Sequence, residues 1–168
     1  MADAEHPTRP DAAARCRACP RLAALDPPPR ERIAATQRWS LAHAFNANLE
    51  GWLVLLPLRH VVAIDELDED EAAELGPLLR GASAALRAVV GCDKTYVLQL
   101  AESEGFQHVH FHVVPRGRDL PDAYVGPSVF GLLGNPSLDV VAPERMDALA
   151  LALRAHLHAA GVVWSADR

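Results

Sequence analysis

The sequence predicts an α+β fold, in which helices pack against one antiparallel sheet. Apolar and aromatic runs indicate two or three strands first, and a long amphipathic helix follows them. Two more strands and a second amphipathic helix come later in the chain. This order of strands, helix, strands and helix is typical of a sheet with helices packed on it. The predicted segments are 32–45, 52–58, 65–91, 96–100, 108–114 and 143–160.

Length and composition favour a single domain. The chain has 168 residues, 50% of them hydrophobic, which is enough for a proper core. A formal net charge of −6 argues against broad nucleic-acid binding, because such binding needs a basic surface. No apolar run approaches the roughly 20 residues of a membrane span, and the N-terminus does not resemble a signal peptide. We therefore expect a soluble cytoplasmic protein, whose three cysteines suit a reducing compartment.

The N-terminal part of the chain is expected to lack regular structure. Residues 1–15 are polar, contain two prolines and show no periodicity, which is typical of a flexible tail. Residues 16–168 are then expected to form the single domain. Prolines 27–29 interrupt the chain, because proline can neither continue a helix nor donate to a sheet ladder. Residues 46–51 form the predicted turn between the first strands.

The two helices have recognisable starts. In the first, Asp68 and Glu71 resemble a capping pair, and Pro77 is expected to kink the helix or delay its true start. Acidic residues are favourable at a helix N-terminus, so we interpret this acidic opening as a solvated helix start rather than a metal site. The second helix is expected to begin at Pro143, since proline suits a first helical position.

Three histidines stand two residues apart in segment 108–114, which has the sequence HVHFHVV. Side chains in a strand alternate between faces, so all three imidazoles are expected on one face, roughly 6–7 Å between neighbours. A strand that only packs would rarely place three titratable rings in one row. We therefore predict a chemical role for the row. His43 has no histidine partner at a useful spacing, and His156 and His158 stand two apart on a predicted helix, where they do not share a face. These three are expected to be ordinary surface or boundary residues.

The spacing of the row permits two kinds of enzymatic chemistry. A neutral imidazole can attack phosphorus and form a covalent phosphoramidate, and the central ring, between two possible donors, is the natural nucleophile. Alternatively, two or three rings can bind a transition metal with an open position for water. Three rings in line make a poor tetrahedral site by themselves, because the outer two are some 13 Å apart at the backbone. A metal would therefore need ligands from elsewhere in the chain.

Segment 108–114 resembles the signature of the histidine triad (HIT) nucleotide hydrolases and transferases, in which histidines alternate with apolar residues. Upstream, residues 52–61 (WLVLLPLRHV) resemble the strand-Pro-x-x-His segment of that family, and Pro115-Arg116 is a similar continuation. The resemblance covers roughly residues 16–116 and implies a HIT-like fold. One departure is Trp52, which stands where many members have a histidine after glycine.

The resemblance implies roles for individual residues. His110 is the implied nucleophile that takes a nucleotidyl group from an α-phosphate, and His112 is implied to contact that phosphate and help the leaving group. The ribose contact of the family lies in the turn that contains Asn46 and Asn48, and either residue can fill that role. The nucleotide-binding candidates are Asn46, Asn48, Gln99, Gln107 and His112, where the two glutamines lie near positions that contact phosphates in relatives.

Cys16 and Cys19 form a CxxC pair, which by itself is as often redox-active or incidental as metal-binding. A branch of the HIT superfamily, which includes galactose-1-phosphate uridylyltransferases and several bacterial members, resembles this chain in having such a pair. There the pair holds a structural Zn²⁺ with the histidine after Pro-x-x and the first triad histidine. The implied ligands here are Cys16, Cys19, His60 and His108; the alternative is a pair of reduced surface thiols.

The predicted function is cleavage at the α-phosphate of a nucleotide conjugate, through a covalent nucleotidyl-His110 intermediate. A dinucleoside polyphosphate or a nucleoside phosphoramidate is the expected substrate. One alternative is a nucleotidyltransferase or phosphorylase, and another is a catalytically weak HIT protein that binds a nucleotide or a partner. A hydrolase whose histidine row binds a catalytic metal is a further alternative. The resemblance also suggests a homodimer with a continuous sheet.

Overall fold

The computed structural model describes residues 10–159, and its centre is a five-stranded sheet with the strand order β1-β2-β3-β5-β4. Each neighbouring pair of strands is antiparallel. The predicted α+β class is therefore confirmed. The strands are β1 (Ala34–Ala35), β2 (Trp39–His43), β3 (Leu53–Pro57), β4 (Lys94–Gln99) and β5 (Phe111–Arg116).

Two short and two long α-helices accompany the sheet in the described part of the chain. The helices are α1 (Pro10–Arg15), α2 (Ala18–Leu22), α3 (Glu69–Val90) and α4 (Pro143–Ala159). Short 3₁₀ helices occupy Pro29–Glu31, Ile64–Glu66, Asp122–Tyr124 and Gly126–Leu132. Helix α1 lies inside the segment for which we expected no regular structure. Residues 1–9 and 160–168 lie outside the described residues, so the division into a tail (1–15) and one domain (16–168) stays a prediction.

Helix α3 begins at the predicted capping pair. The Asp68 carboxylate accepts from the Glu71 amide at 2.7 Å, and the Glu71 carboxylate accepts from the Asp68 amide at 2.9 Å. Pro77 lies inside the helix, so the idea that it delays the helix start is wrong. The acidic opening is also not wholly solvated, because Glu71 is buried and pairs with Arg59 at 2.6 Å. This ion pair connects α3 to the loop that follows β3.

The main core lies between one face of the sheet and the two long helices. It includes Leu41, Leu53 and Leu55 from the strands, Leu78, Ala82 and Leu86 from α3, and Ala150 and Leu153 from α4. A second buried cluster contains Trp52, Val114, Val129 and Leu132. Because side chains alternate along β3 and β5, this second cluster lies on the opposite face. Within residues 10–159, neither long helix is apolar over enough of its length to span a bilayer.

The histidine row begins before the strand that was predicted to carry it. Strand β5 starts at Phe111, so only His112 of the three histidines belongs to it. The Val109 amide instead donates to the Val61 carbonyl at 2.8 Å, in the loop after β3. The predicted start of this strand at His108 is therefore wrong, although all three imidazoles line the same cavity. This change of path directs His108 away from the strand ladder and towards the N-terminal segment.

Candidate functional site

His108 lies in a cluster with both cysteines of the CxxC pair and with His60. The distance from Cys16 Sγ to His108 Nδ1 is 3.6 Å, and that from Cys19 Sγ to His108 Nδ1 is 3.7 Å. Cys19 Sγ lies 3.4 Å from His60 Nδ1. One potential ligand atom from each of the four residues lies within 4.8 Å of the others. The structure thus brings together the four residues that the resemblance implies as metal ligands.

These distances fit tetrahedral zinc. A sulfur and a nitrogen bound to one zinc ion at their usual bond lengths and tetrahedral angle are about 3.5 Å apart. The Nε2 atom of His108 donates to the Pro57 carbonyl at 3.0 Å, which fixes the tautomer and leaves Nδ1 as the unprotonated atom facing the thiols. His60 contributes a buried Nε2 atom without a hydrogen-bond partner in the described structure. The donor set and its orientation are therefore suited to a cation.

The thiols are poorly suited to an exposed, metal-free role. Cys16 is buried and Cys19 is half-buried, which argues against the alternative of two surface thiols. Burial, followed by the hydrogen bond and charge of Cys16, raises the pKa of the Cys19 thiol to about 12. Burial also lowers the pKa of His60, and burial and His60 lower that of His108 to about 4. Neutral imidazoles can bind a metal, and a cation would stabilise the thiolates.

His110 lies against the cavity next to this cluster with a defined tautomer. Its Nδ1 atom is 2.7 Å from the His108 carbonyl oxygen, which can only accept a hydrogen bond, so Nδ1 carries the proton. The Nε2 atom then has a free lone pair in neutral imidazole. Burial lowers the pKa of His110, which favours this neutral form. His110 therefore has the electronic state that a nucleophile requires.

His112 has the opposite tautomer. The Trp52 indole Nε1 donates to His112 Nδ1 at 2.9 Å, so the proton of the neutral ring is on Nε2. The His110 and His112 rings are 4.7 Å apart between centroids, at 75°. Burial, followed by the neighbouring His110, lowers the pKa of His112 to about 3. An unprotonated nitrogen and an N–H donor thus lie side by side.

A cavity of about 380 Å³ adjoins both rings. Its walls come from α2, the end of β2, strand β3, the 100–106 loop and the 3₁₀ helix Gly126–Leu132. Arg21 is the only lysine or arginine among its lining residues in the described structure, and Glu31 and Glu102 are the only carboxylates. The space suits a flat apolar group with a charged end, which is the chemistry of a nucleotide.

Two phenylalanines and two arginines form a stack at the wall of the cavity. The Phe45 and Phe106 rings are 5.6 Å apart at 25°. The Arg21 guanidinium lies 4.9 Å from the Phe45 centroid, and the Arg17 guanidinium lies 5.6 Å from the Phe106 centroid. Arg21 also pairs with Glu31 at 2.9 Å. Because Arg17 and Arg21 flank Cys19, the metal-ligand cluster and the cavity share the same short segment of chain.

The four predicted nucleotide-binding amides lie in different surroundings, and one of them faces the cavity. Asn46 lines the cavity. The Asn48 Nδ2 donates to the Leu138 and Asp139 carbonyls at 3.0 and 3.1 Å, and its Oδ1 accepts from the Asn135 amide at 3.0 Å. Asn48 is thus occupied in fixing the 135–139 loop, so of the two it is Asn46 that is available to a ligand. Gln99 in β4 and the exposed Gln107 are not among the residues that line the cavity.

Several residues of the site were missed by the sequence analysis. His43 is buried and lines the cavity, so its description as a surface or boundary residue is wrong. Its Nδ1 donates to the Ala44 carbonyl at 2.9 Å, and its Nε2 accepts from the Gly51 amide at 3.1 Å. Arg21 and Phe106 come from segments without a periodic signal. For Trp52 the sequence did give a signal, because tryptophan stands where many family members have histidine, and in the structure its indole contacts His112.

Comparisons with known proteins agree with this architecture. No protein-family model and no curated protein matches the chain. A solved histidine triad protein from Bradyrhizobium japonicum has 25% identity and a TM-score of 0.63, covering 75% of this chain and 89% of that chain. A zinc-bound histidine triad family protein from Mycobacterium smegmatis has 18% identity and a TM-score of 0.63, covering 88% and 96%.

A diadenosine triphosphate hydrolase from Plasmodium falciparum is a third similar structure. It has 16% identity and a TM-score of 0.59, and the match covers 77% of this chain and 78% of that chain. At this identity the likeness concerns the fold. The HIT-like architecture predicted from the histidine signature is confirmed by these three structures.

Proposed function

We propose that this chain, which shares its fold with solved histidine triad proteins, is an enzyme that acts on the α-phosphate of a nucleotide conjugate, with His110 as nucleophile. The observation that carries this proposal is the pair of complementary tautomers in the cavity. His110 holds its proton on Nδ1 against the His108 carbonyl, and His112 holds its proton on Nε2. One ring can attack phosphorus while the other donates to a phosphate oxygen.

The reaction proceeds in two displacements. The Nε2 lone pair of His110 forms a bond to the α-phosphorus, the bond from phosphorus to the leaving group breaks, and the leaving group takes that electron pair. Water then attacks the nucleotidyl-His110 intermediate. The P–N bond breaks, its electron pair returns to Nε2, and the proton that water loses goes to solvent. Phosphate or a sugar phosphate in place of water would make the protein a phosphorylase or nucleotidyltransferase.

The cavity supplies the binding half of the proposal. Its apolar wall and the Phe45 and Phe106 rings suit a nucleobase, and Asn46 lies within the same cavity for a sugar hydroxyl. Arg21 supplies a positive charge for a phosphate chain. A dinucleoside polyphosphate is a reasonable first substrate, since one protein of similar fold is a diadenosine triphosphate hydrolase. A nucleoside phosphoramidate is the second.

The proposal includes a structural Zn²⁺ held by Cys16, Cys19, His60 and His108. The three sulfur–nitrogen distances of 3.4–3.7 Å and the tautomer of His108, whose unprotonated Nδ1 faces the thiols, support this assignment. The ion, when bound, supplies a cross-link between the N-terminal segment and the residues that precede β5. The four protein ligands complete a tetrahedral shell, so the catalytic-metal alternative would need a different set of residues.

The homodimer implied by the resemblance remains part of the proposal. Strand β4 pairs only with β5 in the described structure, and it exposes Val97. Such an edge can accept a strand from a second copy. Sedimentation of the purified protein would test this, and a monomer at micromolar concentration would exclude it.

Intact-mass spectrometry of protein quenched soon after mixing with diadenosine tetraphosphate tests the covalent step. Wild type is expected to gain the mass of one nucleotidyl group, whereas His110→Ala is expected not to, and its turnover should fall at least about 1,000-fold. His158→Ala, which removes an exposed histidine of α4, is the control and should behave like wild type. If diadenosine tetraphosphate and adenosine 5′-phosphoramidate, tested separately, both fail to label the protein and are not consumed while a nucleotide still binds, the protein is a binding module instead.

A further inference from the structure

We propose that Trp52 is a positioning residue that holds His112 as a neutral hydrogen-bond donor and prevents it from transferring a proton to the leaving group. This inference rests on the proposed function and extends it to the class of leaving group that the site can expel. Leaving groups that are stable as anions are favoured, and amines that need a proton are disfavoured.

The contact that carries the inference is the hydrogen bond from Trp52 Nε1 to His112 Nδ1, at 2.9 Å. An indole N–H can donate but cannot accept, so His112 Nδ1 has to be the unprotonated nitrogen. The single ring proton of neutral His112 is therefore on Nε2. The two rings meet edge to face, with centroids 5.7 Å apart and planes at 87°.

The surroundings prevent the pair from rearranging. Trp52 is fully buried, so its N–H has no access to water if His112 withdraws. Phe130 packs against both rings, with centroids 5.7 Å from Trp52 and 5.0 Å from His112. A flipped or doubly protonated His112 would place an N–H opposite the indole N–H in a closed environment. The imidazolium form of His112 is therefore strongly disfavoured.

This restraint decides which bonds His112 can help to break. When phosphorus passes to His110 and a phosphoanhydride breaks, the electron pair stays on a phosphate oxygen that is stable as an anion. A hydrogen bond from His112 Nε2–H is sufficient for that step, and no proton is transferred. When a phosphoramidate breaks, the pair stays on nitrogen, which must gain a proton to leave as a neutral amine. A neutral imidazole is far too weak an acid to supply it.

The other histidines of the cavity do not replace His112 as a proton source. His43 uses Nδ1 to donate to the Ala44 carbonyl and Nε2 to accept from the Gly51 amide. His108 donates through Nε2 to the Pro57 carbonyl, and its Nδ1 faces the cysteines. An amine substrate thus loses the contribution of a general acid, which is typically about 100- to 10,000-fold in rate.

The test combines kinetics with a direct measurement of the tautomer. Wild type, Trp52→Phe and Trp39→Phe are compared with diadenosine tetraphosphate and adenosine 5′-phosphoramidate. The ¹⁵N resonances of His112 are recorded for the same three proteins. Trp39 is the matched control, because it is equally buried and donates through its indole N–H to the Glu71 carbonyl, away from the histidines.

We expect wild type to prefer diadenosine tetraphosphate by at least about 100-fold in kcat/KM, with an unprotonated Nδ1 at His112. Trp52→Phe should reduce this preference at least about tenfold and alter the ¹⁵N shifts of His112, whereas Trp39→Phe should do neither. A protonated Nδ1 in wild type would overturn the inference, as would an unchanged substrate ratio in a folded Trp52→Phe protein.

The spectrum of the wild-type protein requires no substitution, so it decides the tautomer even if Trp52→Phe does not fold. It also requires no turnover. If the nucleotidyl group never appears on His110, the proposed function fails while the tautomer is still measured. If the intermediate forms but phosphoramidate is cleaved as fast as anhydride, the proposed function survives and the role of Trp52 is refuted.

Discussion

His108 and His112 stand on either side of His110 and look equivalent in the sequence, but they lie in very different surroundings. Both are buried, both have a lowered pKa, and both hold their proton on Nε2. The unprotonated Nδ1 of His108 faces two thiols, whereas that of His112 accepts from an indole N–H. The same residue in the same tautomer thus belongs to a cluster with two cysteines in one case and, in the other, to the pair of rings that we propose as the reactive site.

The difference follows from the path of the backbone. His112 belongs to β5, so its side chain faces the cavity beside β3. His108 precedes the strand, and the Val109 amide pairs with Val61 in the loop that also carries His60. A departure from strand geometry over three residues therefore places His108 in the cluster with the cysteines, while His112 lies beside Trp52.

The largest expected effect is that of removing one ligand from the cluster that contains His108. Cys16→Ala is expected to abolish zinc binding and to lower the free energy of unfolding by about 3–5 kcal/mol, because the buried cluster loses its cross-link. Metal analysis and urea unfolding measure both effects. Cys92→Ala is the matched control, since Cys92 is also buried but lies outside the cluster. Full zinc content in Cys16→Ala would instead favour a metal bound by the histidine row.

The pH dependence of stability tests whether the folded protein holds His112 in its neutral form. The pKa of His112 in the folded state is about 3, below the value of about 6.5 expected in the unfolded chain. Its contribution to stability is therefore complete above pH 6.5 and is lost as the pH falls towards 3. Between pH 7.5 and pH 5 this single group should lower the free energy of unfolding by about 2 kcal/mol.

Because the pKa values of other buried histidines are also lowered and these groups titrate in the same range, the measurement is the difference between wild type and His112→Asn. Asparagine keeps an oxygen that can accept from Trp52 but has no proton to gain. Urea unfolding of both proteins at the two pH values should give a difference that shrinks by about 2 kcal/mol at pH 5. Equal pH dependence in the two proteins would mean that His112 is not held neutral.

The sequence contained enough information for the fold and for the members of the cluster, but not for their arrangement. Apolar and aromatic runs predicted the strands, and the Asp68–Glu71 pair predicted the start of α3, because both signals act locally. The start of β5 at Phe111 depends on a contact with Val61, which lies far away in the chain. The choice between Asn46 and Asn48 depends in the same way on the distant 135–139 loop.

The cavity residue Arg21 was also not predicted from the sequence. Its substitution is expected to have the smallest effect. Arg21 lies two residues after Cys19, so the segment that carries two of the proposed metal ligands also places a guanidinium over Phe45. If this charge contacts the phosphate chain, Arg21→Ala should raise KM for diadenosine tetraphosphate roughly five- to tenfold, which is about 1 kcal/mol, with little change in kcat. Steady-state kinetics measure both constants.

The control for Arg21 is Arg30→Ala, which removes an arginine that likewise pairs with a carboxylate, Asp147, but does not line the cavity. An equal rise of KM in both variants would show only a general effect of net charge. A rise confined to Arg21→Ala, together with unchanged zinc content, would mean that the metal-bound segment takes part in substrate binding. The cluster of cysteines and histidines would then affect substrate binding through α2, which carries both Cys19 and Arg21, and not through the histidine row.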